Sequence, residues 1–243
     1  MVLSRAGKDL LPHMEAVLNG MRSILNYRDG NDITGELSLT VAESLLACKI
    51  PPVLGRFSRL APGVRLTLHC LNCHDIRNGL LSGEYDMGIY YDVGGHTQSL
   101  SLSRVGRTEG VLAASPDLPT SLRDFISPHQ QKNVSLITSE PRSIYRERME
   151  AYLRTKDIML RSTVEVWNMQ AIKTCTADGM GVAFLPRFAV ERELSSGALV
   201  EIPVDMQDNS IDILCVHHRN QEPGPALRLF RSLLMEEMKN SMP

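Results

Sequence analysis

No apolar run in the 243 residues approaches the roughly 18–20 needed to cross a bilayer as a helix. That argues against a membrane role. Lys8, Asp9, His13 and Glu15 interrupt any stretch near the N-terminus that could act as a signal peptide, so a cytoplasmic location is expected. Cysteine is scarce: five residues, an odd number at irregular spacing, fit reduced thiols better than a disulfide framework. Excess positive charge is also missing. Lys and Arg total 26 against 28 Asp and Glu, a net charge of −2, so no bulk basic field points to nucleic acid. There is no G-x-S-x-G elbow, no H-E-x-x-H and no phosphate-cradling glycine loop. No catalytic residue, cofactor or metal is expected.

What is present is an ordinary globular composition, 43% hydrophobic and 22% charged, enough for one large domain or two small ones. The most informative stretch runs from Val164 to Pro186. It reads as strand, helix, strand. Asn168 is a natural N-cap, Ile172 and Cys175 give the helix an apolar face, and Gly179 supplies a left-handed stop. Val182 to Leu185 fits a buried parallel strand. Such a unit puts a helix N-terminus at the carboxyl end of a strand, where open α/β sheets bind small molecules.

Residues 3–26 read as one amphipathic helix. Leu10, Met14, Val17, Met21 and Ile24 form one stripe, and Leu11, Leu18 and Leu25 a second. This is a seam of about two to three heptads, suited to self-association or to packing on its own domain. From Gly35 onward, strand-like runs (36–40, 64–69, 86–91, 110–114, 134–138, 182–185, 211–217) alternate with helical ones (44–60, 74–82, 144–155, 168–178, 187–195, 225–239). The alternation predicts βα units and a mostly parallel sheet. Extended polar segments at 98–110 and 203–210 suit connections between two α/β subdomains.

A ligand site is expected in loops at the carboxyl ends of strands: Glu43 and Ser44; Tyr90; Thr138, Ser139 and Arg142; Trp167 and Asn168. Helix N-termini favour anions, Arg142 could grip a carboxylate in two-point fashion, and Tyr90 and Trp167 could supply apolar walls. Each has a plainer role open to it. Ser44, Ser139 and Asn168 could simply cap helices, and Trp167 could belong to the core. Glu43 and Glu140 would repel an anion unless paired or turned away, and could instead select a polar or cationic ligand. Cys70-Leu71-Asn72-Cys73-His74 matches C-x-x-C-H, with His69 before it. Haem attachment of that kind needs export, and no second ligand pair at zinc-finger spacing accompanies it.

Three blocks in order resemble the effector-binding domain of LysR-type transcriptional regulators. The first holds Gly35, Leu37, Leu39, Glu43, Ser44 and Leu45, then Ile50, Pro51, Pro52, Leu54, Phe57, Pro62 and Val64. The second is Leu80 to Ile89, of the form L-x-x-G-x-x-D-M-G-I. The third comprises Glu165, Ala171, Ile172, Lys173, Ala177, Gly179, Gly181, Val182, Ala183, Leu185 and Pro186. The resemblance covers nearly the whole chain.

It implies an α/β fold of two Rossmann-like subdomains joined by a two-crossover hinge, similar to type II periplasmic binding proteins, after a long linker helix. The expected divisions are 1–31 for the linker, 32–105 with 206–243 for subdomain I, and 106–205 for subdomain II. A small effector, a polar or carboxylate metabolite, would bind in the cleft between lobes. Leu3-Ser4-Arg5-Ala6-Gly7-Lys8 looks like the start of the family's linker helix. The helix-turn-helix domain that contacts promoter DNA is therefore expected outside this chain. Leu10, Met14, Val17 and Met21, with Val53, Leu54 and Phe57, would pair copies into a homodimer or homotetramer. Competing roles are a solute-binding protein on the same fold, an enzyme using Glu43 and Glu140, and a thiol sensor using Cys70 and Cys73.

Overall fold

The computed structural model describes residues 33–241, together with Ser4, Ala6, Gly7, Leu10, Met14, Val17 and Met21. The helix expected over 3–26 therefore lies mostly outside the described residues. At Ala6, Gly7, Leu10, Met14, Val17 and Met21 the backbone is helical. Ser4 Oγ accepts from the Gly7 amide at 3.2 Å, as an N-cap does.

The chain forms two compact units: 1–90 with 94–106 and 214–243, and 91–93 with 107–213. Unit 1 begins with β1 (Thr34–Val41), α1 (Glu43–Cys48), α2 (Pro51–Leu60), β2 (Gly63–Cys70), α3 (Cys73–Leu81) and β3 (Met87–Tyr91). β1 pairs in parallel with β2 and with β3. The last strand, β9 (Ser210–His218), adds on beyond β3, giving the order β2-β1-β3-β9. Each residue of β3 is buried, as expected for a central strand covered on both faces. β2, at the sheet edge, alternates half-buried and exposed residues. The C-terminal helix α7 (Pro225–Ser241) covers this sheet, and Leu227, Phe230, Leu233, Leu234 and Met238 are buried.

The single helix expected over 44–60 is two helices. The break falls at Lys49–Ile50, before Pro51 and Pro52. Proline has no N–H to donate, so it suits the first turn of a helix, where those N–H groups have no partner within the helix, and does not continue one.

Unit 2 holds the second half of β4 (Leu100–Ala114), a 3-10 turn (Thr120–Leu122), β5 (Gln130–Thr138), α4 (Ile144–Lys156), β6 (Ile158–Glu165), α5 (Met169–Ala177), β7 (Gly181–Pro186), α6 (Arg187–Ser196) and β8 (Val200–Ile202). β5 is central, parallel to β6 on one side and to β7 on the other. β4 joins β7 antiparallel, and β8 pairs with β4. The core gathers Val111, Ala113, Ile137, Ile172, Ala183, Leu185, Val190 and Leu199. Most of β6 and all of β8 lie outside the strands expected from the sequence. β6 is a sheet edge with most side chains in solvent, so it lacks the apolar run that marks a buried strand. The segment expected as a connection from 98 is strand from Leu100 onward.

The third sequence block folds as it reads. Asn168 Oδ1 accepts from the Ala171 amide at 2.9 Å and caps α5. Gly179 follows the helix at φ +79°, a left-handed conformation that costs glycine least. At Gly181 a Cβ would overlap the Ser135 carbonyl of β5, so β7 can enter the sheet there only without a side chain. Lys173 of the same block reaches α6: its Nζ lies 2.6 Å from Glu193 Oε1 and donates to the Ala189 carbonyl at 3.1 Å.

Candidate effector-binding loops

In unit 2 the loops after β5 and β6 lie at the carboxyl ends of parallel neighbours, and Thr138 pairs with Glu165 where both strands end. Thr138 is buried, and its carbonyl accepts from the Val166 amide at 2.8 Å. Ser139 and Glu140 are half-buried and Arg142 is exposed. Ser139 is no helix cap: the N-cap of α4 is Ser143, which makes no side-chain capping bond. Asn168 does cap α5.

Trp167 is not core. Its side chain leaves the residue 72% exposed, and its indole N–H donates to Glu165 Oε1 at 2.6 Å. Glu165 in turn takes Arg146 Nη1 at 2.9 Å on its other oxygen. Arg146 also donates to the Ser139 carbonyl at 3.2 Å and, through Nε, to Glu150 at 2.8 Å. Arg146 therefore ties the loop after β5 to the loop after β6. The indole hydrogen bond and then the Arg146 hydrogen bond hold the Glu165 carboxyl below its ordinary value.

Arg146 and Glu165 were not among the expected site residues. Glu165 stood in the third block with no role attached. Arg146 carried one legible signal, a carboxylate four residues on at Glu150, which on a helix makes a neighbouring pair. Its link to Glu165 needs the fold.

In unit 1 the loop after β1 is pinned by backbone bonds. The Ala42 amide donates to the Ile89 carbonyl at 3.0 Å, and Leu71 donates to Val41 at 3.3 Å. The N-cap of α1 is Ala42, so Ser44 is not the cap; it sits inside α1 and is buried, beside a half-buried Glu43. Tyr90 is wholly buried, with its ring centroid 6.5 Å from that of His96.

Two residues expected at a subunit interface are core. Val53 is fully buried, and Phe57 meets Phe230 of α7 edge to face, ring centroids 5.4 Å apart. On a helix packed against a sheet and a second helix, one apolar stripe must turn inward, and these two residues lie on it. Leu54 is half-buried, while Leu10, Met14, Val17 and Met21 are each more than half exposed.

The Cys70–His74 segment divides between β2 and α3. Cys70 is exposed at the end of the strand, and Cys73 is buried in the first helical turn behind the Asn72 cap. Among the described residues no group of three or more His, Cys, Asp and Glu is placed to hold a metal ion. Nor is any helix of the described residues long and apolar enough to cross a membrane. A separate cavity of about 390 Å³ lies against α4 and β6, lined by Leu136, Leu153, Ile158, Met159 and Arg154 among others, and includes none of the expected site residues.

Comparison with known proteins agrees with this architecture. The LysR substrate binding domain family matches residues 30–239. YfiE of Escherichia coli (strain K12), an HTH-type transcriptional regulator, is 38% identical over 231 residues, covering 95% of this chain and 78% of its own length. YwqM of Bacillus subtilis (strain 168), also an HTH-type transcriptional regulator, is 23% identical over 210 residues, 83% of this chain and 69% of its own. Among solved structures, the regulatory domain of Synechocystis PCC6803 CcmR in complex with 2-PG superposes with a TM-score of 0.74 at 22% identity, covering 86% of this chain and 100% of that one. Full-length LysG of Corynebacterium glutamicum with bound effector Arg gives a TM-score of 0.73 at 14% identity, covering 99% and 80%. With the family match spanning nearly all of the two units, the chain belongs to the LysR-type transcriptional regulators and supplies their substrate-binding domain.

Proposed function

We propose that this domain senses a small polar or carboxylate-bearing metabolite through the loops at the carboxyl ends of its strands: Glu43, Ser44 and Tyr90 in unit 1, and Thr138, Ser139, Arg142, Trp167 and Asn168 in unit 2. One observation carries the reading. In unit 2 two loops and two helix N-termini converge at the ends of adjacent parallel strands, where the partial positive charge of a helix start favours an anionic or polar ligand. The Synechocystis domain was solved with 2-PG and the Corynebacterium regulator with Arg, which supports a small polar ligand without naming this one.

The domain is read as a sensor and not a catalyst. Ligand binding shifts a conformational equilibrium, and a coupling of roughly 1–3 kcal/mol is enough for a useful response. Promoter DNA is bound through a helix-turn-helix domain outside this chain, in the cytoplasm, by paired copies. Leu10, Met14, Val17, Met21 and Leu54 form the pairing surface, as a homodimer or homotetramer.

The test is a metabolite screen by thermal shift. A ligand at a hundred times its dissociation constant adds about 2.7 kcal/mol of stability. The expected result is a hit whose shift is lost in Arg142→Gln and Ser44→Ala. A hit undiminished in both would place the site elsewhere and overturn the reading.

A further inference from the structure

The indole of Trp167 is the most exposed large apolar group among the described residues, and it does not hang free. Glu165 holds it at Nε1, and Arg146 holds Glu165 from the other side. The only donor on the ring is thus committed, and what the ring has left to offer is its two flat faces. Polar groups around it are also in use. The Thr138 carbonyl takes Val166, the Ser139 carbonyl takes Arg146, and Asn168 Oδ1 takes Ala171. Arg146 itself is engaged by two carboxylates and a carbonyl, and only 16% of its side chain is exposed. It therefore does not serve as the grip for an incoming anion.

We infer that Glu165 and Arg146 are positioning residues that fix Trp167 as a stacking platform, and that the effector presents a flat aromatic or conjugated group to it. This rests on the reading of the unit 2 loops as the effector site. A ring already held in place loses little freedom when a ligand arrives, so more of the contact energy appears as affinity. Offset stacking and edge-to-face contact both add to plain apolar burial. Glu165 also explains why the ring stays in solvent: its carboxylate, charged and paired with Arg146, keeps the indole edge at the strand end.

Trp167 is the only tryptophan in the chain, so its fluorescence reports this position alone. In Glu165→Ala the steady-state anisotropy of Trp167 should fall and acrylamide quenching should rise, with the melting curve little changed. Glu165→Gln keeps an oxygen acceptor for the indole and should restore most of the wild-type values. Two probes of like charge then test the ligand class. 2-Naphthoate should bind the wild-type domain about tenfold more tightly than octanoate, about 1.4 kcal/mol, and lose that advantage in Glu165→Ala and in Trp167→Ala. Unchanged Trp167 mobility in Glu165→Ala overturns the positioning role, and equal binding of the two probes overturns the stacking role. A non-aromatic metabolite that binds equally well to wild type and Trp167→Ala would also overturn the inference while leaving the domain an effector sensor.

Discussion

Lys173 and Glu193 join α5 to α6 through an ion pair of 2.6 Å whose side chains are 13% and 20% exposed. The lysine also donates to the Ala189 carbonyl. Two consecutive helices on one side of β7 are thereby held together by a residue that the sequence marks only as a member of a family block.

Removing that lysine should be costly. Lys173→Met leaves the Glu193 carboxylate shielded from water with its strongest partner gone, and a destabilisation of about 1–3 kcal/mol is expected. Urea unfolding checks it. The pH dependence should change as well. Burial pushes the Glu193 carboxyl up, but the Lys173 hydrogen bond, a backbone hydrogen bond and the charges of Lys173 and Arg192 together outweigh this and leave it below its ordinary 4.5. A carboxyl depressed by folding adds stability above its unfolded value, lost as pH falls through the folded one. The acid-side loss should therefore shrink in Lys173→Met.

Phe57 and Leu54 lie three residues apart on α2 and should behave in opposite ways. Phe57→Ala opens a cavity against Phe230 and should cost about 3–5 kcal/mol. Leu54→Glu should leave the melting temperature nearly unchanged and, with Met14→Glu and Val17→Glu, weaken self-association as read by sedimentation velocity. Loss of folding in Leu54→Glu would show that Leu54 is core as well.

His217 gives a second pH signature. It is buried in β9, and burial first, with Arg231 and His218 adding, lowers its pKa below the ordinary 6.5. The folded state prefers the neutral ring, so the unfolded chain takes up its proton first as pH falls. The stability His217 confers is full above 6.5 and declines from there down to its folded pKa. Thermal melts between about pH 7.5 and about pH 5 should show this slope, and His217→Gln should flatten it.

Gly181→Ala tests the close approach of β7 to β5. The added methyl would overlap the Ser135 carbonyl, a backbone atom with no rotamer to yield, and a loss of about 1–3 kcal/mol is expected. Gly179→Ala, where the space is open but φ is +79°, should cost less, about 1 kcal/mol. Equal losses at the two positions would contradict the packing argument.

Much of the fold was legible because the signals are local. Asn168 and Gly179 bracket α5 through bonds to residues three or four away. The short apolar runs of β3 and β7, bounded by turn residues, fit central strands. The helix break before Pro51 was equally local, and the apolar periodicity running across it hid it. Edge strand β6 was harder to see, since a strand with one open edge and solvated faces needs no apolar pattern. Of the candidate site, the loop positions could be read from where strands end. The exposure of Trp167 could not, because core and surface tryptophans look alike in a sequence.

By itself the sequence determined the family, through three blocks spread along the chain, and also the alternation of strands and helices, the Asn168 cap and the loops that follow the parallel strands. Apart from the family, these depend on residues within one or two turns of each other. Only the tertiary structure decided which side of α2 faces inward, that Lys173 belongs to Glu193, and that Arg146 and Glu165 hold Trp167 in solvent. The Arg146–Glu165 and Lys173–Glu193 pairs join residues 19 and 20 positions apart, across different elements. Which charge meets which is then set by how strands pair and helices pack, and no local propensity encodes that.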